Sequence, residues 1–205
     1  MEVRMTISRV VGLFVGLCVL AAVVAGLEAT QAPRDLITGM VNDVLAVLND
    51  PALKGDDKLQ QRRGKIRAAV QDRFDFAEMS QRTLAVHWQK RTEEEKKEFA
   101  ALFSNLLEGA YINKIERYSN EEVRIIEEKT EGGLSIVKTE VITQKAKIPI
   151  DYRLKPVSGD KGWKVYDVVI EGVSLVNNYR TQFQSIINTK GYNALVKTLK
   201  EKKAK

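Results

Sequence analysis

One cysteine and one histidine in 205 residues leave little room for thiol or imidazole chemistry. The cysteine, Cys18, lies inside an N-terminal apolar run, so a chain cut after that run carries none. Disulfides, thiolate metal sites and cysteine nucleophiles are then excluded, and stability has to come from packing. A lone histidine, His87, excludes a multi-histidine metal site. Carboxylates are the ligands left, and they show no EF-hand or similar spacing. No G-x-S-x-G accompanies His87, so Asp72, Asp75 and Glu78 make a triad with it on paper only, and a packed or surface histidine is the favoured reading. Gly132-Gly133 and Gly159 have the wrong separations for a phosphate loop and follow hairpin logic. No cofactor is expected.

Charge of one sign is also missing as a block. The net charge is +6 and the pI about 9.3, yet the 33 Lys and Arg are scattered among 27 Asp and Glu. That mixture speaks against nucleic acid and leaves an anionic membrane or partner surface as the better use of the excess.

Residues 1–10 carry Arg4 and Arg9 against Glu2, and an uncharged apolar run follows from Val10 to Leu27. This is the order of a secretory signal. The run approaches the roughly 20 residues of a membrane-spanning helix, so an uncleaved anchor is the alternative. Thr30-Gln31-Ala32 offers a small-x-small exit, although Pro33 after it obstructs cleavage, and Leu17 before Cys18 argues against lipidation. The expected organisation is a signal peptide over 1–32 and a single domain over 33–205, long enough to bury a substantial core.

Within that domain, Leu36, Ile37, Met40, Val41, Val44, Leu45 and Leu48 recur at helical spacing up to Asn49-Asp50-Pro51. A second helix, basic on its outer face (Arg62, Arg63, Lys65, Arg67), is expected from about Asp56, with Leu59, Ile66, Ala69 and Val70 inward. Asp75 with Glu78 and Thr92 with Glu95 have capping-box spacing. The second pair opens a long helix whose stripe runs Phe99, Leu102, Phe103, Leu106, Leu107, Ala110, Tyr111, Ile115 and Tyr118. Strands follow: Val123 onward, a Gly132-Gly133 hairpin, Leu134–Ile142, then Ile148, Ile150, Tyr152 and Leu154 alternating with polar positions up to a turn at Pro156 and Ser158-Gly159-Asp160. Trp163–Ile170 is apolar on both faces, as in a covered central strand. Gly172 breaks it, Ser174 caps a helix running to Gly191, and Tyr192, Leu195, Val196 and Leu199 form a last amphipathic helix before a solvated basic tail from Lys200. The fold class is α+β, with N-terminal helices, an antiparallel sheet of about four strands, and C-terminal helices packed against that sheet.

No catalytic set stands out. Asp151, Asp167 and Glu140 lie on strands and could act as a base in an apolar pocket, but partners for Arg153, Lys164 or Lys138 are the simpler reading.

The segments Phe74-Asp-Phe-Ala-Glu-Met-Ser and Trp88-Gln-Lys-Arg-Thr-Glu-Glu-Glu, and above all Trp163-Lys-Val-Tyr-Asp-Val-Val-Ile-Glu-Gly-Val-Ser-Leu-Val-Asn-Asn-Tyr-Arg, resemble the MlaC or toluene-tolerance family. The likeness extends from about Leu36 to Leu199. It implies an NTF2-like α+β fold whose helices and sheet enclose an apolar cavity, and a periplasmic phospholipid carrier serving a lipid ABC transporter, with phospholipid as cargo held tails-first. The partners it implies are an inner-membrane ABC transporter with a mammalian-cell-entry-domain subunit, and an outer-membrane lipoprotein complex. The lining expected on this basis is Phe103, Leu107, Tyr111, Ile115, Ile148, Ile150, Val165, Val169, Val173, Val176 and Tyr179. Two rivals stand beside it: a small enzyme using Asp151 or Asp167 on a hydrophobic substrate, and an adaptor that carries nothing.

Overall fold

The computed structural model describes residues 31–117, 121–157 and 162–203. Residues 1–30 of the expected signal segment, Cys18 among them, together with Tyr118, Ser158-Gly159-Asp160 and the last two residues, lie outside the described residues. Among the described residues no helix is long and apolar enough to cross a membrane.

Four helices come first: α1 (Pro33–Asn49), α2 (Leu59–Gln71), α3 (Phe76–Leu84) and α4 (Glu93–Glu116). Local chemistry sets most of their ends. Pro33 sits in the first turn of α1, where its missing N–H costs nothing, and Asp50 after its end accepts from the Ala52 amide at 2.9 Å. Thr92 and Glu95 form both bonds of a capping box at the start of α4, at 3.2 and 2.9 Å. At α3 only half of the expected box exists. Asp75 accepts from the Glu78 amide at 2.9 Å, but the Glu78 carboxylate is drawn away to Arg82 and Lys155, because two cations outcompete one backbone amide.

The sheet is an antiparallel meander in the order β1 (Glu122–Glu131), β2 (Leu134–Ile142), β3 (Lys147–Pro156), β4 (Trp163–Ile170), β5 (Val173–Ser174). The sequence reading had about four strands; the fifth is a two-residue piece too short to show as a pattern. Gly132 and Gly133, with φ of 59° and 76°, make the β1–β2 turn in a conformation that suits glycine. Val165 through Val169 are all buried, as expected of a strand covered on both faces. Yet β4 is the last long strand. Its far edge is closed by β5 and by bonds from the Asp75 amide to the Val165 carbonyl (2.8 Å) and from the Val165 amide to the Arg73 carbonyl (2.9 Å).

Helices α5 (Leu175–Lys190) and α6 (Tyr192–Lys203) complete the chain. The Ser174 hydroxyl caps α5 by accepting from the Asn177 amide at 3.1 Å. Of the expected basic tail, residues 200–203 continue α6, and Lys200 pairs with Glu98 on α4 at 2.6 Å.

An aromatic cluster packs between α4 and α5. Phe103 meets the rings of Tyr179 and Phe183 edge-on, with centroids 5.3 and 5.5 Å away, and Phe99 meets Phe183 at 5.7 Å. Ile37, Val137, Leu154, Val165 and Leu195 join them with no exposed surface. The buried Asp167 accepts from the Ser174 hydroxyl (2.7 Å), the Val176 amide (3.1 Å) and Arg153 (3.2 Å), tying β4 to the start of α5.

Candidate binding cavity

Between the helices and one face of the sheet the side chains do not meet, and a cavity of about 650 Å³ remains. This is within the size range of ligand pockets. The sheet supplies Val123, Val141, Ile148, Ile150, Tyr152, Val168 and Ile170. Register explains that choice: Ile148 stands opposite Val141, Ile150 opposite Ile170, and Tyr152 opposite Val168, so one face of the pleat carries them all. Opposite them α1 contributes Met40, Val41, Val44, Leu45 and Leu48, and α4 contributes Leu107, Tyr111, Ile112 and Ile115. Ile66 and Val70 of α2, Phe76 and Met79 of α3, and Leu175 of α5 close the remaining sides. Charged side chains on the wall, among them Arg67, Lys114, Arg117 and Glu171, are exposed and so mark its rim.

Helix α2 spans the gap towards α4 largely through arginines. Arg62 and Arg63 both bond Glu116, at 3.1 and 2.7 Å, Arg63 also reaches Asn113 at 2.6 Å, and Arg67 pairs with Glu108. The solvated basic face expected from the sequence is therefore mostly engaged. Burial pushes the Glu116 carboxyl up, but its bonds to Arg63 and Arg62 outweigh this and hold it below the ordinary carboxylate range.

Of the eleven residues expected to line a cavity, the structure puts Leu107, Tyr111, Ile115, Ile148 and Ile150 on this wall. It puts six elsewhere. Phe103, Val176 and Tyr179 pack between α4 and α5, beyond the inner end of the cavity. Val165 stays on the cavity-side face because the pairing slips between Arg153 and Leu154, but it is sealed under Leu154. Val169 alternates with Val168 and Ile170 and therefore points to the opposite face. Val173 sits on the short β5 and is 56% exposed. The largest group missed is on α1. Its apolar stripe was legible, and the signal was its length: Leu36, Ile37 and Met40 are buried, while Val41, Val44, Leu45 and Leu48 stay half-buried because they face space.

The candidate bases do not enter the cavity. Asp151 is opposite Val169 and Lys138, on the far face, and Asp167 is committed to its three donors. Asp75 and Glu78, the acids nearest His87 in the triad reading, are taken up by Lys155 and Arg82. Among the described residues no group of three or more His, Cys, Asp or Glu could hold a metal ion.

Tyr152 carries the one strongly displaced ionisation on the wall: its enclosure pushes the phenol up to about 12. The folded state thus holds this proton more tightly than the unfolded chain, whose phenol titrates near 10. The stabilisation is complete below about pH 10 and lost as the pH rises through about 12. Denaturant unfolding across that window should show a shallower alkaline loss for Tyr152→Phe than for the wild type; identical profiles would assign the loss to other groups.

A phospholipid-binding protein of Ralstonia solanacearum, solved in complex with a phospholipid, superposes with a TM-score of 0.76 at 27% identity, over 84% of this chain and 97% of that one. The toluene tolerance protein ttg2D of Pseudomonas putida is 27% identical over 181 residues, 83% of this chain and 80% of its own length. The intermembrane phospholipid transport system binding protein MlaC of Haemophilus influenzae is 27% identical over 124 residues, and the match spans 58% of each chain. The MlaC protein family model matches residues 38–201, from within α1 to within α6 and including the whole sheet, and with the fold agreeing as well this chain belongs to the MlaC family.

Proposed function

We propose that this protein is a periplasmic phospholipid carrier, not an enzyme. In this reading the mature domain, released by cleavage of the N-terminal segment, holds lipid tails-first. It passes lipid between an outer-membrane lipoprotein complex and an inner-membrane ABC transporter with a mammalian-cell-entry-domain subunit, and so maintains outer-membrane lipid asymmetry. The observation that carries the proposal is the cavity, apolar along its walls and charged only at its rim. Each CH₂ withdrawn from water contributes about 0.8 kcal/mol, so a tail of roughly sixteen carbons represents on the order of 12 kcal/mol before losses. A carrier working on that term needs few polar contacts. The phospholipid in the Ralstonia protein and the names of the other relatives support the same reading. An adaptor that carries nothing would be expected to fill this space with its own side chains.

Mass spectrometry of lipid extracted from protein purified out of the periplasm without detergent tests it. Roughly stoichiometric diacyl phospholipid, absent from an unrelated periplasmic control, is the expected result. A folded protein that is empty, or that carries only the control's background, would turn the reading towards the adaptor.

A further inference from the structure

The cavity has a floor, and separate elements reach it in step. Along β3 the inward series Ile148, Ile150, Tyr152 lines the wall, while the next member, Leu154, has no exposed surface and lies off it. Along α1 the wall runs from Leu48 to Met40 and stops before the sealed Ile37. Along α4 it runs from Ile115 past Leu107 to Ser104 and stops before Phe103, which is sealed in the aromatic cluster. The four-residue step from Ile148 to Tyr152 covers about 13 Å of strand. The eight-residue step from Leu48 to Met40 covers about 12 Å of helix, and the eleven-residue step from Ile115 to Ser104 about 16 Å. The three elements therefore give a depth of about 12–16 Å. Half the hydrocarbon thickness of a bilayer is about 15 Å, so a tail of ordinary length reaches the floor with its first carbons still at the rim. A longer tail has no deeper space to enter.

We propose that Tyr152 is the stop that sets the longest acyl chain this cavity accepts. It is the last cavity-lining residue of β3, opposite Val137 and Val168 and backed by Leu154. Met40 and Met79 also line this inner region. Methionine adapts its shape to a ligand, whereas a packed aromatic ring does not. The rigid member fixes the limit. This inference rests on the phospholipid reading above and adds to it a chain-length preference with a single structural cause.

The test loads delipidated mature protein from vesicles of equimolar phosphatidylglycerols with saturated tails graded from dodecanoyl to eicosanoyl, and compares bound with vesicle composition by mass spectrometry. Wild type should take the shorter tails and deplete the eicosanoyl species. Tyr152→Ala should raise the bound ratio of eicosanoyl to hexadecanoyl roughly tenfold or more, because the space opened admits several further carbons. Tyr152→Phe keeps the ring and should match wild type; Val173→Ala, exposed and off the cavity wall, should leave the ratio unchanged. If Tyr152→Ala does not fold, Tyr152→Leu takes its place with a shift of the same sign. A folded Tyr152→Ala or Tyr152→Leu protein with the wild-type ratio, or an equal shift from Val173→Ala, overturns the stop while leaving the carrier reading in place. Wild type that loads no tail of any length removes the carrier reading itself.

Discussion

Tryptophan in place of Ile150 should empty the cavity and leave the protein folded. Ile150 is half-buried and lies midway along the inward series of β3, with Ile170 opposite it on β4. An indole there extends into free space and not into neighbouring side chains, so the overpacking cost that accompanies core enlargement is largely avoided. Bound phospholipid should fall at least about tenfold, with the stability of the empty protein within about 1 kcal/mol of wild type. Val173→Glu is the counterpart. Val173 is 56% exposed and off the cavity wall, so a carboxylate there stays hydrated and lipid content should not change. Full lipid occupancy in a folded Ile150→Trp protein would mean that the lipid sits somewhere else.

The largest loss of stability is expected at Asp167. Its side chain is buried and accepts from the Ser174 hydroxyl, the Val176 amide and Arg153 at 2.7, 3.1 and 3.2 Å. In Asp167→Ala the Val176 amide, in a buried first turn of α5, loses its acceptor. Arg153 is 38% exposed on its side chain and can turn to water, so the loss is less than for a fully buried pair. A destabilisation of about 3 kcal/mol follows, equivalent to a fall in Tm of roughly 6–12 °C for a domain of this size. Asp167→Asn keeps an acceptor and should recover about half of it. Thermal unfolding of both variants checks the order, and an alanine variant within about 1 kcal/mol of wild type would show that the β4–α5 junction does not depend on this carboxylate.

Asp167 also illustrates how a residue type on a strand underdetermines its role. From the sequence it was a candidate base or a partner for a cation; its position at the strand-to-helix corner makes it an anchor. His87 and its neighbouring acids follow the same pattern, since Lys155 reaches Asp75 and Glu78 from β3, far away in the chain.

The fold class, the order of the elements, the Thr92 capping box, the Gly132-Gly133 turn and the Ser174 cap were all determined by the sequence itself. Each depends on interactions within a few residues, or on a period that the chain carries along its own length. The same period identified the stripe on α4 and the inward series of β3, which carry Leu107, Tyr111, Ile115, Ile148 and Ile150; that these line a cavity came from the family resemblance. What a stripe faces is not local information. Phe103 and Leu107 are one turn apart on α4, yet one is sealed among aromatic rings and the other borders open space. The pairing slip at Arg153/Leu154 keeps Val165 on the cavity side, and Val169 falls on the other face. Only the tertiary structure decided where packing stops and the cavity begins, because that boundary depends on how far apart α1, α4 and the sheet are held, and no one element carries that distance in its own sequence.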